Sequence, residues 1–434
     1  MRNFILGAIG LTMLSAPAMA LETSFQGYIE PEAQLFVEEG AFGDQERYNL
    51  SLASELELDL YWSDDKAHLA IHPFGRVDLN DDNRTHWDLR EARFELVPLD
   101  MLSISIGLGQ IFWGVTEVVH LVDIVNQTDA VESFDGEDKL GQPMGQVVLD
   151  FGDYGILDMM VMPFFRERSF ADTDGGRPRF PLPVDRDFTT YESGETDRHL
   201  DWAARYSIVL GDFDLGVSAF SGTARAPDLV PVVLVDGAPC SPFPATAYGR
   251  PPCPEPPGFP LSLLAGELPN VEVRLAPHYP LLNQLAFDGQ ATLENWLLKL
   301  EIAGREVHDQ HDFAATGGLE YSFYQVFGTD GDLGVVVEYA FDDRGEQLAA
   351  PFQNDAIFGL RWAANNVQST AVLVAGTRDL DNGTTAISVE GDTRIGENFK
   401  LTLEGRFFVE TAPTDPFAAF EKDSFAQLRF AWYF

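Results

Sequence analysis

Along most of this chain, apolar and polar side chains alternate one for one. In residues 55–60, Leu56, Leu58 and Leu60 share one parity, and Glu55, Glu57 and Asp59 share the other. Residues 90–96 set Ala92, Phe94 and Leu96 against Glu91, Arg93 and Glu95. Residues 401–409 set Leu401, Leu403, Phe407 and Val409 against Thr402, Glu404 and Arg406. A period of two is the signature of a β-strand, whose successive side chains point to opposite faces. A row of carboxylates backing a row of leucines needs water on one side and an apolar medium on the other. A soluble sandwich and a membrane barrel both offer that contrast.

Three features select the barrel. Residues 50–62 and 296–306 run to the ~10 residues or more that a tilted membrane strand requires, against a globular mode of about 5–6. Short connections such as 62–66, 152–154, 211–212 and 395–398 alternate with long ones at 114–142, 167–198 and 222–280. Outer-membrane barrels pair short periplasmic turns with long external loops in that way. The chain also ends with Leu428, Phe430, Trp432 and Phe434 on one parity. That ending resembles the C-terminal assembly signal of bacterial outer-membrane proteins, which implies that Phe434 is read by the barrel-assembly machinery.

The predicted strands are 24–36, 47–62, 67–79, 87–97, 102–112, 144–151, 155–165, 199–210, 212–221, 283–293, 296–306, 312–324, 332–342, 355–363, 367–378, 384–394, 399–409 and 425–434. The expectation is therefore an all-β, transmembrane antiparallel barrel of 18 strands, with 16 as the alternative. An even number returns both ends to one side. Residues 283–293 are needed for that parity. The predicted organisation is a signal peptide at 1–20 and a barrel at 21–434, with long loops at about 113–143, 166–198 and 222–282.

The signal peptide rests on Arg2, the apolar residues 4–14 and the small-x-small site Ala18-Met19-Ala20. Leu21 would begin the mature chain, exported to a Gram-negative outer membrane. The remaining chain offers no run of about 18 apolar residues for a membrane helix.

Composition adds two constraints. The formal charge is −41, and aromatic residues make up 12% of the chain, with 33 Phe. An acidic chain lacks the basic footprint of a nucleic-acid binder, so no nucleic-acid partner is expected. Acids in outer loops would meet divalent cations bridging lipopolysaccharide, which with outer-membrane lipid forms the expected surroundings. Cys240 and Cys253, the only cysteines, flank a Pro-rich stretch. In a chain passing through an oxidising periplasm they suggest a disulfide, closing a long external loop that is not barrel wall.

Catalytic chemistry finds no footing. The eight histidines fall on separate hairpins, GxSxG is absent, and His308-Asp309-Gln310-His311 reads as a polar loop. Asp379-Leu380-Asp381-Asn382-Gly383 lacks the twelve-position calcium-loop spacing and reads as a hairpin turn. No enzyme activity, cofactor or metal is expected.

The informative stretch runs from Gly109 through Trp113-Gly114 to Asp129. Val118, Val122 and Val125 fit one face of a short helix, with His120, Asp123 and Gln127 toward another. A strand-final Trp113-Gly114 followed by Val122-Asp123, Asn126 and Asp129 resembles a poorly characterised proteobacterial family of large, porin-like outer-membrane barrels. Residues 297–301, 351–355 and 367–370 look similar to the same group. The resemblance implies a barrel and an outer-membrane location, and no established substrate.

By analogy with general porins, residues 114–142 form a candidate constriction loop, whose candidate residues are Glu117, His120, Asp123, Asn126 and Asp129 together with Trp113 at its base. Glu117, Asp123 and Asp129 would face Arg90 or Arg93 and other lumen cations. The candidate lumen charges are Glu91, Arg93, Glu95, Arg205, Lys299, Glu301, Glu404 and Arg406, a mixture suited to polar solutes. The expected function is passive diffusion of small polar solutes. The alternatives are a polysaccharide exporter, a lipid transporter, or a non-transporting structural or adhesive barrel.

Overall fold

The computed structural model describes residues 21–62, 66–133, 136–172, 175–241, 271–345 and 350–434. The predicted signal peptide and Cys253 lie outside these residues. The first strands are β1 (Leu21–Phe36), β2 (Tyr48–Trp62), β3 (Ala67–Asp78), β4 (His86–Leu99), β5 (Leu102–Gly109), β6 (Gln142–Asp150) and β7 (Ile156–Met162). After β8 (Thr190–Tyr191) come β9 (Asp201–Leu210) and β10 (Phe213–Thr223). Next are β11 (Asp228–Val235), β12 (Ala238–Cys240) and β13 (Val271–Tyr279). The second half holds β14 (Leu281–Leu293), β15 (Trp296–Val307), β16 (Gln310–Phe323), β17 (Asp332–Asp342) and β18 (Asn354–Ala363). It ends with β19 (Ala371–Asp379), β20 (Thr385–Ile395), β21 (Phe399–Glu410) and β22 (Phe425–Tyr433).

All of these except β8, β11, β12 and β13 form one 18-stranded antiparallel sheet, which closes where β1 pairs with β22. Phe434 finishes that seam: its N–H donates to Gly27 O at 3.0 Å, and Gly27 N–H donates back to Phe434 O at 3.1 Å. The stretch 283–293 is wall, paired to both β10 and β15. Closure removes the sheet edges that would otherwise leave unpaired backbone groups.

The alternation reads directly as outside and inside. On β17, Val337, Tyr339 and Phe341 are exposed, while Val336, Glu338, Ala340 and Asp342 are buried. On β22, Leu428, Phe430 and Trp432 face out, and Gln427 and Ala431 are buried inside. Aromatic rings gather at the rim holding β1's start: Trp62 with Phe94, Trp296 with Tyr321, Phe399 with Phe430, and Trp432 with Phe434. Exposed Tyr48, Trp87, Trp202, Phe313 and Phe341 mark the opposite rim. An apolar exterior of this extent, between two aromatic belts, is a surface built for hydrocarbon.

One rim, here the turn rim, carries connections of a few residues such as 100–101, 211–212 and 294–295. The other, the loop rim, carries the long ones: 110–141, 163–200 and 224–280. The rule is not strict. The two-residue turn His308-Asp309, with φ of 51° and 59°, lies on the loop rim. Positive φ at both central residues is what a type I′ hairpin needs, so the His308–His311 stretch is a turn in the wall.

The Pro-rich segment is not barrel wall, yet it is not wholly irregular either. β11 and β13 pair antiparallel, β12 extends one edge and β8 the other. Pro231, Pro239 and Pro277 are accommodated because this small sheet has edges that need no donor. Val230, Val232, Leu234 and Ala276 form its own apolar cluster. Cys240 is buried at the end of β12.

Candidate pore constriction

The connection from β5 to β6, residues 110–141, folds into the barrel instead of standing on its rim. Asn126 fixes its base: the side-chain amide donates to Gly109 O at 2.8 Å and Leu140 O at 2.9 Å, and its oxygen accepts from Ile111 N at 2.8 Å. The expected helix over Val118–Val125 does not form, and the stretch holds bends only. Its amides are taken by two wall carboxylates. Glu301 Oε1 accepts from Val115 N (2.7 Å), Thr116 N (3.1 Å) and Thr116 Oγ1 (2.8 Å), while Oε2 accepts from Leu121 N (2.7 Å) and Val122 N (3.2 Å). Glu338 accepts from Glu117 N (2.8 Å) and Val118 N (3.3 Å). An amide bound to a carboxylate is not available to a carbonyl four residues back, so the helical ladder is replaced.

Glu301 and Glu338 sit mid-strand on β15 and β17, which places the loop at mid-height of the lumen. Glu301 is 0% exposed. A buried carboxylate is tolerated when every lone pair is engaged, and here the backbone of the loop supplies the donors. Gly114 makes the turn into this cradle. Its φ is +148°, a backbone angle that strains any other residue, and a Cβ there would lie 3.1 Å from Glu301 Oε1 and crowd the cradle.

The apolar side of the loop packs on the inner wall from β6 to β15. Trp113, Val122 and Val125 meet Met144, Met160, Met162, Ala203, Phe220, Leu282, Ala286 and Ala303. Most of these wall residues are small (Ala203, Ala286, Ala303) or flexible (Met144, Met160, Met162), which lets the loop approach closely. This is the main core of the protein, and it occupies one side of the barrel.

The polar side meets charged groups on the strands that flank this wall, from β15 to β18 on one side and on β4 on the other. Glu117 pairs with Lys299 at 2.9 Å and with Arg361. Burial would raise its pKa, but Lys299 and Arg361 hold the Glu117 carboxyl below its ordinary value. Asp129 accepts from Ser169 Oγ at 2.6 Å and lies 3.7 Å from Arg90. Against the effect of burial, its hydrogen bonds with His86 and Ser169 keep its pKa low. Asp123 differs from expectation: it meets neither Arg90 nor Arg93 but pairs within the loop with Lys139 at 2.9 Å. Burial pushes the Asp123 carboxyl up. His120 is held down by burial and stands edge-on to Phe112 at 5.2 Å.

Among the other lumen charges, Glu91 accepts from Arg93 at 2.8 Å, and Glu95 from Ser103. Arg205 engages Asp288 across the wall and does not reach the loop. Arg406 pairs with Glu390 at 2.7 Å, and Glu404 lies 3.3 Å from Arg429. Most of these partners come from the same or neighbouring strands. Glu301, read as a wetted charge, is the loop's anchor. Glu338 was not singled out. Its signal is an acid on the inward parity of an otherwise valine-rich strand.

What remains open lies between the loop and the wall of β17–β22 and β1–β4. A polar cavity of about 310 Å³ is lined on the wall side by Glu30, Glu55, Arg76, Arg90 and Arg429, and on the loop side by Glu132, Glu137, Asp138 and Lys139. A second cavity of about 360 Å³, also bordered by Glu137, lies under the long loops. The 163–200 connection roofs it, crossing the mouth from β7 to the seam. Its Arg177 donates to Asp423 at 2.7 Å and to the carbonyls of Glu38 and Glu46 at 3.2 Å, and stacks on Phe36 at 4.0 Å. The acid cluster Asp312, Asp342 and Asp343 on the outer hairpins is compensated by Arg305 and Arg344.

No family model matches this chain, and no curated protein matches it. Among solved structures, OprB of Pseudomonas putida aligns over 95% of this chain and 94% of its own, at 11% identity and a TM-score of 0.44. A BenF-like porin from Pseudomonas fluorescens aligns over 95% and 98%, at 7% identity and a TM-score of 0.49. Pseudomonas aeruginosa OccD3 aligns over 95% and 90%, at 10% identity and a TM-score of 0.48. At such values the architecture rests on this chain's own register: a closed antiparallel barrel of 18 strands with a loop folded into its lumen.

Proposed function

We propose that this protein is a passive channel of a Gram-negative outer membrane, narrowed at mid-height by residues 110–141, through which small polar solutes diffuse. The observation that carries the reading is the pinning of that loop by Glu301 and Glu338. It leaves a polar gap between wall arginines and loop acids, and opposed charges at a constriction are how pores select. The apolar exterior and its two aromatic belts support residence in a bilayer. The long loops would then face outward, toward lipopolysaccharide, and the turn rim the periplasm. Residues 1–20 would be removed on export, and Phe434 would be the residue presented to the assembly machinery. A pairing of Cys240 with Cys253 would fasten the outermost loop.

Planar-bilayer recording tests the reading. The intact protein should give steady potassium chloride currents. Replacing residues 114–138 with a short Gly-Ser link should raise the unit conductance severalfold. Unchanged conductance and selectivity after that replacement would refute the constriction.

A further inference from the structure

The second cavity has a chemistry unlike the gap beneath it. Six phenylalanine rings form a continuous line along it. Phe352 lies 5.6 Å from Phe417, Phe417 5.9 Å from Phe408, and Phe408 6.5 Å from Phe420. Phe420 is 5.3 Å from Phe180, which is 6.4 Å from Phe170. These rings come from four separate chain segments: the connections 163–200, 343–353 and 411–424, and the inward face of β21. The barrel wall adds Leu373 and Ala375, and the roof adds Pro178, Leu182, Pro183 and Val184.

The lining is mainly apolar although the cavity is partly open to solvent. Loops over a water-filled pore could expose polar residues at no cost, whereas apolar lining of a wet cavity is unfavourable. Its volume of about 360 Å³ falls within the roughly 300–1,000 Å³ typical of small-molecule sites, which are mainly apolar with a few polar groups. The lining also carries charged groups on both the roof and the constriction side, and most of them are paired: Arg406 with Glu390, Arg179 with Asp44, and Glu117 with Lys299 and Arg361. Hydroxyl-rich sugars would lose water on every face and find few partners. A net charge would be desolvated among rings, and the lining Arg168, whose guanidinium reaches Gln127, forms no ion pair with a described carboxylate.

We propose that this cavity is a binding chamber for small uncharged aromatic molecules bearing a hydroxyl group. The ring is held among the phenylalanines, and the hydroxyl points toward the charged gap. The proposal rests on the channel reading and names the solute class that the channel passes. A solute would shed water around its ring in the chamber, then present its polar end to the constriction.

The probe is 2-naphthol, neutral at pH 7, titrated calorimetrically into the full-length protein in lipid nanodiscs, with empty discs subtracted. Saturable binding is expected. The pair Phe417→Ser and Phe420→Ser should weaken it at least tenfold. Because those changes could disturb the loops, Ser388→Trp provides a second variant: it fills the chamber from the wall and should abolish binding while leaving the rings in place. Three results would overturn the proposal: absent saturable binding, binding indifferent to Ser388→Trp, or equal or tighter binding of naphthalene-2-sulfonate or maltose. Potassium chloride currents without ligand are read on the same preparation. Naphthol binding with no current would sink the channel and leave the chamber, whereas current without naphthol binding would do the reverse.

Discussion

Two halves of this barrel share one exterior and have opposite interiors. From β6 to β15 the inward positions carry Met144, Met160, Met162, Ala203, Phe220, Ala286 and Ala303, and a loop lies on them. From β17 round through the seam to β4, inward positions carry Arg361, Glu390, Glu404, Arg406, Arg429, Glu30, Glu55, Arg76 and Arg90, and the lumen stays open there. In a soluble sandwich the inward side chains need only fill space. Here the inward side chains differ with what they meet: the apolar side of the loop in one half, and at the level of the constriction a polar gap in the other. The apolar inward run therefore marks where the pore is plugged.

The boundary between the halves is made by Glu301 and Glu338, and removing their charge should give the largest effect. A hydrogen bond to a charged group is worth about 1.5–3 kcal/mol, and the two carboxylates accept several from the loop. Glu301→Gln with Glu338→Gln leaves one acceptor oxygen at each site and turns an amide donor toward the loop's own N–H groups. The loop should detach. Unit conductance in planar bilayers should rise toward that of the loop-replaced protein, with frequent substates. A conductance equal to the parent's would mean that the packing of Trp113, Val122 and Val125 alone holds the loop, and the contrast between halves would lose its hinge.

Why the walls were legible and the loop was not follows from the range of the interactions. A strand is written locally, since each residue's face is settled by its parity and its medium. Even 283–293, chosen on parity, proved to be wall because Leu285 must face out and Gln284 and Asp288 in. The loop's conformation depends on carboxylates about 180 residues away in sequence. Val118, Val122 and Val125 do have helical spacing, but spacing carries no information about who will claim the amides. The partners of Asp123 and Arg205 were hidden for another reason: Asp123 meets Lys139 inside the irregular loop and Arg205 meets Asp288 two strands away, and strand parity encodes neither pairing. The rings of the upper chamber were hidden for a similar reason, since four segments contribute them.

A smaller effect is expected on selectivity, and it should be confined to the open half. Arg429 lines the polar gap and lies 3.3 Å from Glu404. Arg429→Glu exchanges a cation for an anion where the passage is narrow and the dielectric low, so the reversal potential in a potassium chloride gradient should move toward cation preference. Arg205→Glu, against Asp288 on the plugged side, should leave the reversal potential nearly unchanged. Equal shifts from both would show that ions also pass along the half that the loop is thought to fill.

The smallest effect is a pH dependence tied to one side chain. Glu117 bridges the halves: it belongs to the loop of the plugged side and binds Lys299 and Arg361. Those two cations hold its carboxyl below the ordinary value despite burial, so the bond is stronger in the folded, charged state. The stabilisation is complete above the unfolded carboxylate pKa of about 4.3 and is lost as pH falls through the depressed folded value. Loop fluctuations, read as current noise, should therefore stay flat from neutral pH down through about 4.3 and increase only below it. In Glu117→Gln the noise should be raised at neutral pH and should lose that acidic step. An unchanged step in the variant would assign the titration to another loop acid, such as Asp129, which is also held low, and would move the loop's electrostatic latch from the β15–β18 wall to the β4 side.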